Sequence, residues 1–137
     1  MRLKTIALVK NGVSQTPDDW SKTTSRLVFR KEYVDGLYRV SHFKHIWVIF
    51  GFHKSKETNL KVHPRHDQSI PIVGVFASCS PTRPNKLGLT LVRLVGVKGN
   101  VVTVRGLDAF DGSPVFDIKP PEGEIDYHAR RRARKNR

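Results

Sequence analysis

The densest run of residues able to do chemistry is Gly74-Val75-Phe76-Ala77-Ser78-Cys79-Ser80-Pro81-Thr82-Arg83-Pro84-Asn85-Lys86-Leu87-Gly88. Its two prolines fix φ and remove donors, so the segment is stiff by construction. A stiff loop can aim Arg83, Asn85 and nearby backbone amides at a ligand. It serves equally well as a corner between two strands. A second cluster is Asp108-Ala109-Phe110-Asp111-Gly112-Ser113-Pro114. There Asp108 and Asp111 can accept bonds from ligand hydroxyls or amines, or can simply bond their own turn. His53-Lys54 closes an aromatic run, at the point where side chains in small barrels pass from core to mouth. His42/His45 and His63/His66 are spaced by three, but no HExxH or CxxC pattern accompanies them, so no metal site is expected. Cys79 has no identifiable partner base and reads as inert.

Strands must carry these groups. Ile46 to Phe52 is β-branched and aromatic on both faces, which predicts a strand in a sheet covered on both sides. Leu89 to Val97 and Val101 to Leu107 flank Gly99-Asn100, a tight hairpin signal. Ile6 to Val9, Arg26 to Phe29, Leu60 to Val62, Val73 to Ala77 and Pro114 to Ile118 are further strand candidates. Lys31 to Leu37 is the one helical candidate, limited by Gly36 to a turn or two. Asn11 to Ser25 reads as a long loop, of a kind often functional. The predicted fold is all-β: a small antiparallel β-barrel with one or two short helical turns, spanning residues 1–121. Residues 122–137 are expected to be a disordered basic tail.

The chain has 137 residues, which suits one domain, and 38% of them are hydrophobic, enough to build a core. Its 25 Lys+Arg against 12 Asp+Glu leave a net charge of +13. Six of the cations lie within residues 130–137, so the body carries +7. That excess points to a polyanionic partner. No apolar run approaches the ~20 residues of a membrane-spanning helix, so no membrane association is expected. No signal peptide is apparent, and the single cysteine fits a reducing cytoplasm.

Gly74-Val75-Phe76-Ala77, followed by Ser80-Pro81-x-Arg83-Pro84-Asn85-x-Leu87-Gly88-Leu89, resembles the signature of the TrmO (TsaA-like) family. The resemblance continues through Gly106 to Pro120, and through Glu32-Tyr33-x-Asp35-Gly36-Leu37 and His45 to His53. It implies a small, usually dimeric β-barrel methyltransferase that uses S-adenosylmethionine (SAM), with a homodimer expected here. The implied reaction is N6-methylation of threonylcarbamoyladenosine beside the tRNA anticodon. By the same resemblance the SAM pocket comprises His53, Lys54, Leu89, Asp108, Ala109, Phe110 and Asp111, with Cys79 where the family usually has a SAM-contacting arginine. Arg83, Asn85, Arg130, Arg131 and Arg132 are the expected substrate contacts. Asp18-Asp19 stands near a family Pro-Arg-Gln loop, and Lys86 is a candidate to restore the cation missing at Cys79. A non-catalytic RNA-binding barrel, or a paralogue methylating another substrate, are the alternatives these departures leave open.

Overall fold

A computed structural model of the chain describes residues 1–125. Residues 126–137, which include Arg130, Arg131 and Arg132, lie outside the described residues. Among the described residues eight strands form: β1 (Ala7–Lys10), β2 (Thr24–Phe29), β3 (His45–Gly51), β4 (Lys61–Val62), β5 (Val73–Gly74), β6 (Leu87–Lys98), β7 (Val101–Arg105) and β8 (Pro114–Lys119). Six close into a barrel in the order β1-β2-β7-β6-β3-β8, while β4 and β5 make a separate ribbon. Every pairing is antiparallel. Closure removes the exposed strand edges that an open sheet of this size would present.

Alternation along the strands fills the barrel. Val9, Leu27, Ile46, Val48, Phe50, Val92, Val102, Val104 and Val115 point inward and are essentially inaccessible. The β6–β7 hairpin turns at Gly99-Asn100, with Lys98 facing Val101 and Gly99 at φ +59°, the conformation glycine tolerates best. Lys31–Leu37 is a 3-10 segment that buries only Leu37.

Three local expectations are corrected. The β3 run is not covered on both sides: Ile46, Val48 and Phe50 are buried, but His45, Trp47 and Ile49 are only half-buried on the outer face. A period-two element that is apolar at every position carries no record of which face meets the core. Val73 to Ala77 is not one strand, because pairing stops at Gly74 and Val75–Ala77 winds into a 3-10 turn. The Asn11 to Ser25 segment is not a continuous loop, because Trp20–Lys22 forms a 3-10 turn and β2 already begins at Thr24. Asp19 caps that turn through Ser21 N (2.9 Å) and Ser21 Oγ (2.6 Å).

Gly88 lies directly across from Phe50 in the β3–β6 ladder. A Cβ at Gly88 would overlap the Phe50 ring, which stands over the glycine and packs edge-on against Phe52 at 5.3 Å. Gly88→Ala is therefore expected to destabilise the barrel by about 1–3 kcal/mol, the usual range for overpacking a filled core. Urea denaturation measures it, and an unchanged midpoint would mean that Phe50 repacks freely.

Candidate ligand-binding site

At one end of the barrel the chain leaves β3 through Phe52-His53-Lys54, and β7 continues through residues 106–113 into β8. Between them opens a cavity of about 240 Å³, whose lining includes Phe50, His53, Lys54, Cys79, Asp108, Ala109 and Phe110. Thr16, Trp20, His66 and Pro81 also line it. A shallower groove of about 440 Å³ lies alongside, shares Phe52, His53 and Ser55 with the cavity, and contains Asn85.

The aromatic wall is built from distant segments. Phe110 meets Trp20 edge-to-face, with centroids 5.7 Å apart. Lys54 Nζ lies 4.8 Å from the Phe110 centroid and donates to Ser14 O at 3.1 Å. A cation over the face of an aromatic ring is attracted to the ring quadrupole. Asp108 accepts a hydrogen bond from Thr90 Oγ1 through Oδ1. That bond ties the exposed carboxylate to β6.

Hydrogen-bond arithmetic assigns a proton to His53. Ser113 is buried, and its hydroxyl lies 2.7 Å from Phe110 O, a carbonyl that can only accept. The single hydroxyl proton therefore goes to that carbonyl. Ser113 Oγ must then accept from His53 Nδ1 at 3.2 Å. Neutral His53 thus carries its proton on Nδ1 and leaves Nε2 with a free lone pair.

Asp111 takes a structural part. Its Oδ1 accepts from Asn11 N (2.9 Å) and Gly12 N (3.1 Å), while Asn11 Nδ2 donates to Ala109 O (2.9 Å) and Ser25 Oγ (3.0 Å). These bonds hold the segment that carries Trp20 against the one that carries Phe110. The two backbone donors stabilise the carboxylate and hold the Asp111 acid below the ordinary value of 3.8. A group whose folded pKa is depressed contributes stability above its unfolded pKa, and loses it as pH falls through the folded value. Amide-exchange protection of Asn11 and Gly12 is accordingly expected to persist through the ordinary carboxylate range and to decline only as pH falls below it, through the depressed folded value. In Asp111→Ala the protection should be low at every pH. A wild-type profile with no acid limb would show that the two amides are held by other means.

Of the expected cofactor residues, His53, Lys54, Cys79, Asp108, Ala109 and Phe110 converge on the cavity. Leu89 and Asp111 are not on its lining. Leu89 sits on the outer face of β6, 62% exposed, across from Ile49. Arg83 turns back on its own loop, where Nη1 donates to Val75 O (3.0 Å), Ser78 O (2.7 Å) and Ser80 O (3.4 Å). It thereby shapes the segment that carries Cys79. Lys86 does not restore a cation beside Cys79: its ammonium donates to Glu57 O and Thr58 Oγ1 and faces the outer groove. Asp18 and Asp19 are likewise absent from the cavity lining. Sequence reasoning missed Trp20, Thr16, His66 and Ser113. Ser113 lies in the Asp108–Pro114 cluster and His66 in the His63/His66 pair, but neither reads as a pocket lining, and Thr16 and Trp20 sit in a polar segment that nothing local in the sequence marks as part of a site. Among the described residues, no group of three or more His, Cys, Asp or Glu is placed to hold a metal ion.

A closed six-stranded antiparallel barrel carries at its mouth a cavity that combines aromatic faces, a carboxylate and an ammonium, the groups that a nucleotide-like small molecule would need. The model of the tRNA-methyltransferase O N-terminal domain matches residues 3–127, and the chain belongs to that family. An S-adenosyl-L-methionine-binding protein of Archaeoglobus fulgidus is 38% identical over 131 residues, covering 92% of this chain and 93% of that protein. A tRNA (adenine(37)-N6)-methyltransferase of Mus musculus is 37% identical over 123 residues, covering 85% of this chain and 28% of the mouse protein. A crystal structure of TrmO superposes with a TM-score of 0.74 at 28% identity, covering 92% of this chain and 59% of that one. The chain thus spans nearly all of the archaeal relative, but a little over half of the solved TrmO chain and about a quarter of the mouse enzyme.

Proposed function

We propose that this chain binds SAM in the barrel-end cavity and methylates N6 of an adenine beside the tRNA anticodon, with threonylcarbamoyladenosine as the nucleoside. The observation that carries this reading is the convergence of His53, Lys54, Cys79, Asp108, Ala109 and Phe110, drawn from three chain segments, on one cavity. The names of the archaeal and mammalian relatives support the cofactor and the reaction class.

The donor set fits the cofactor. SAM supplies a methyl group on a positively charged sulfur. Phe110 offers an aromatic face for an adenine, and the carboxylate of Asp108 can accept from ribose hydroxyls. Lys54 is the cation on this lining able to pair a carboxylate, the task for which Cys79 is unsuited. His53 Nε2 is the acceptor for the N6 proton released as the methyl group arrives. Proximity and orientation can supply most of the acceleration, so no strong base is required.

The reading includes a homodimer. Leu87, Leu89 and Leu91 stand exposed along the first half of β6, short of Arg93, with Trp47 and Ile49 beside them on β3. Contiguous apolar patches of this kind mark interfaces more often than free surface.

Calorimetry with SAM tests the cofactor, and a methylation assay on tRNA with and without the threonylcarbamoyl group tests the nucleoside. Binding, and methylation only of the modified tRNA, are expected. No heat at millimolar SAM would overturn the enzyme reading and favour an RNA-binding barrel. Equal methylation of both RNAs would overturn the nucleoside.

A further inference from the structure

We infer that the outer wall of β1, β2, β7 and β6 is a phosphate-binding track for the RNA backbone, formed by Lys10, Arg26, Arg105 and Arg93. The inference rests on the tRNA reading above and says where the substrate's backbone lies.

The strand register assembles the track. Lys10 faces Arg26 across β1–β2, and Arg26 faces Thr103 on β7. Two residues along, Thr24 faces Arg105, and Arg105 faces Arg93 across β7–β6. Alternation puts all four cations on the solvent side, since their neighbours Val9, Leu27, Val104 and Val92 point into the core. All four are exposed. Directly opposed residues in an antiparallel pair have Cβ atoms about 5 Å apart, where like charges destabilise a sheet. Arg93 opposite Arg105 is such a pair. A phosphate placed between the two guanidinium groups would relieve that repulsion.

Position connects this wall to the cavity. Lys10 immediately precedes Asn11, which bonds Ala109 O on the cavity lining, and Arg105 lies three residues before Asp108. The track therefore starts at the rim and crosses four strands away from it. Two carboxylates that adjoin the wall, Asp111 in a groove with Lys10 and Arg26 and Glu124 on the His45 that faces Arg93, are already engaged. Asp111, beside Lys10, is engaged by the Asn11 and Gly12 amides, and Glu124 is held by His45 Nδ1 at 2.8 Å. Phosphate contacts fix register and orientation without reading sequence, which suits an enzyme that must hold a stem while one base enters the cavity. Continuity with that rim favours RNA over an acidic protein.

The test is fluorescence anisotropy with labelled unfractionated tRNA, from 50 to about 300 mM potassium chloride, a range in which counterion release dominates. Three proteins are compared: wild type, Arg93→Gln/Arg105→Gln, and Lys4→Gln/Lys119→Gln, which removes two exposed cations off the track. With about 0.7–0.9 of log–log slope per phosphate contact, the arginine pair should flatten the slope by about 1.4–1.8 and weaken binding about tenfold at 150 mM salt. The lysine pair should change both by much less. SAM affinity of the arginine variant should match wild type, because neither side chain lines the cavity, and this also establishes that the variant is folded. Equal losses in both variants, or none in either, would overturn the track while leaving the methyltransferase reading intact. The second of these results would be expected if the wall met an acidic protein. Wild-type protein that binds SAM but no tRNA would overturn the tRNA reading, and the track with it.

Discussion

Asp108→Ala is expected to weaken SAM binding by about 10- to 100-fold while leaving the barrel folded. Asp108 is exposed and sits just past β7, so its removal creates no core cavity. Its Oδ1 is engaged by Thr90, which orients the carboxylate and leaves Oδ2 directed to other donors. A hydrogen bond to a charged group is worth about 1.5–3 kcal/mol, and each 1.4 kcal/mol is a factor of ten. One or two bonds to ribose hydroxyls account for the expected loss. Asp108→Asn keeps an oxygen for Thr90 but removes the charge, so its affinity should fall between wild type and alanine. Calorimetry measures all three. Unchanged affinity in Asp108→Ala would place the ribose elsewhere on the lining.

Leu89→Glu/Leu91→Glu is expected to convert the proposed homodimer to a monomer. Both leucines are exposed in the single chain, at 62% and 43%, so the substitutions spare the core. They face Ile49 and Trp47 across the β3–β6 ladder, at the centre of the apolar outer face. By two-fold symmetry each dimer would receive four carboxylates in one interface. Burying unpaired charge costs several kcal/mol per ion, which corresponds to at least a thousandfold loss of association. Light scattering at tens of micromolar protein should report a dimer for wild type and a monomer for the variant. A wild-type monomer at that concentration would overturn the dimer, and the exposed leucines would then need another partner.

Much of the barrel is legible in residue order. Gly99-Asn100 signals a two-residue turn because few sequences tolerate φ +59° there, and the turn stands where it was expected. The strands at Val101, Arg26 and Pro114 follow from short β-branched runs between breakers. The motif order from Glu32 to Pro120 identifies the family without any geometry, and the family match spans residues 3–127. Illegible were choices that depend on direction. Ile46 to Phe52 is apolar at every position, so hydrophobicity cannot say that Phe50 faces in and Ile49 out. Arg83 and Lys86 sit in a motif that invites a ligand-binding reading, yet both cations are directed at nearby backbone carbonyls.

Composition, turn chemistry and motif spacing are local properties of the chain, and they suffice for a basic all-β barrel of this family. The cavity is not local. Trp20 reaches Phe110 only because Asp111 and Asn11 tie two loops about a hundred residues apart, and His53 acquires its tautomer only because a buried serine has one proton to give. The basic track likewise arises from ladder register, which sets Arg93 against Arg105 though twelve positions separate them in sequence. Side-chain direction and proton placement come from neighbours brought together by barrel closure, and a linear pattern does not encode which neighbours those are.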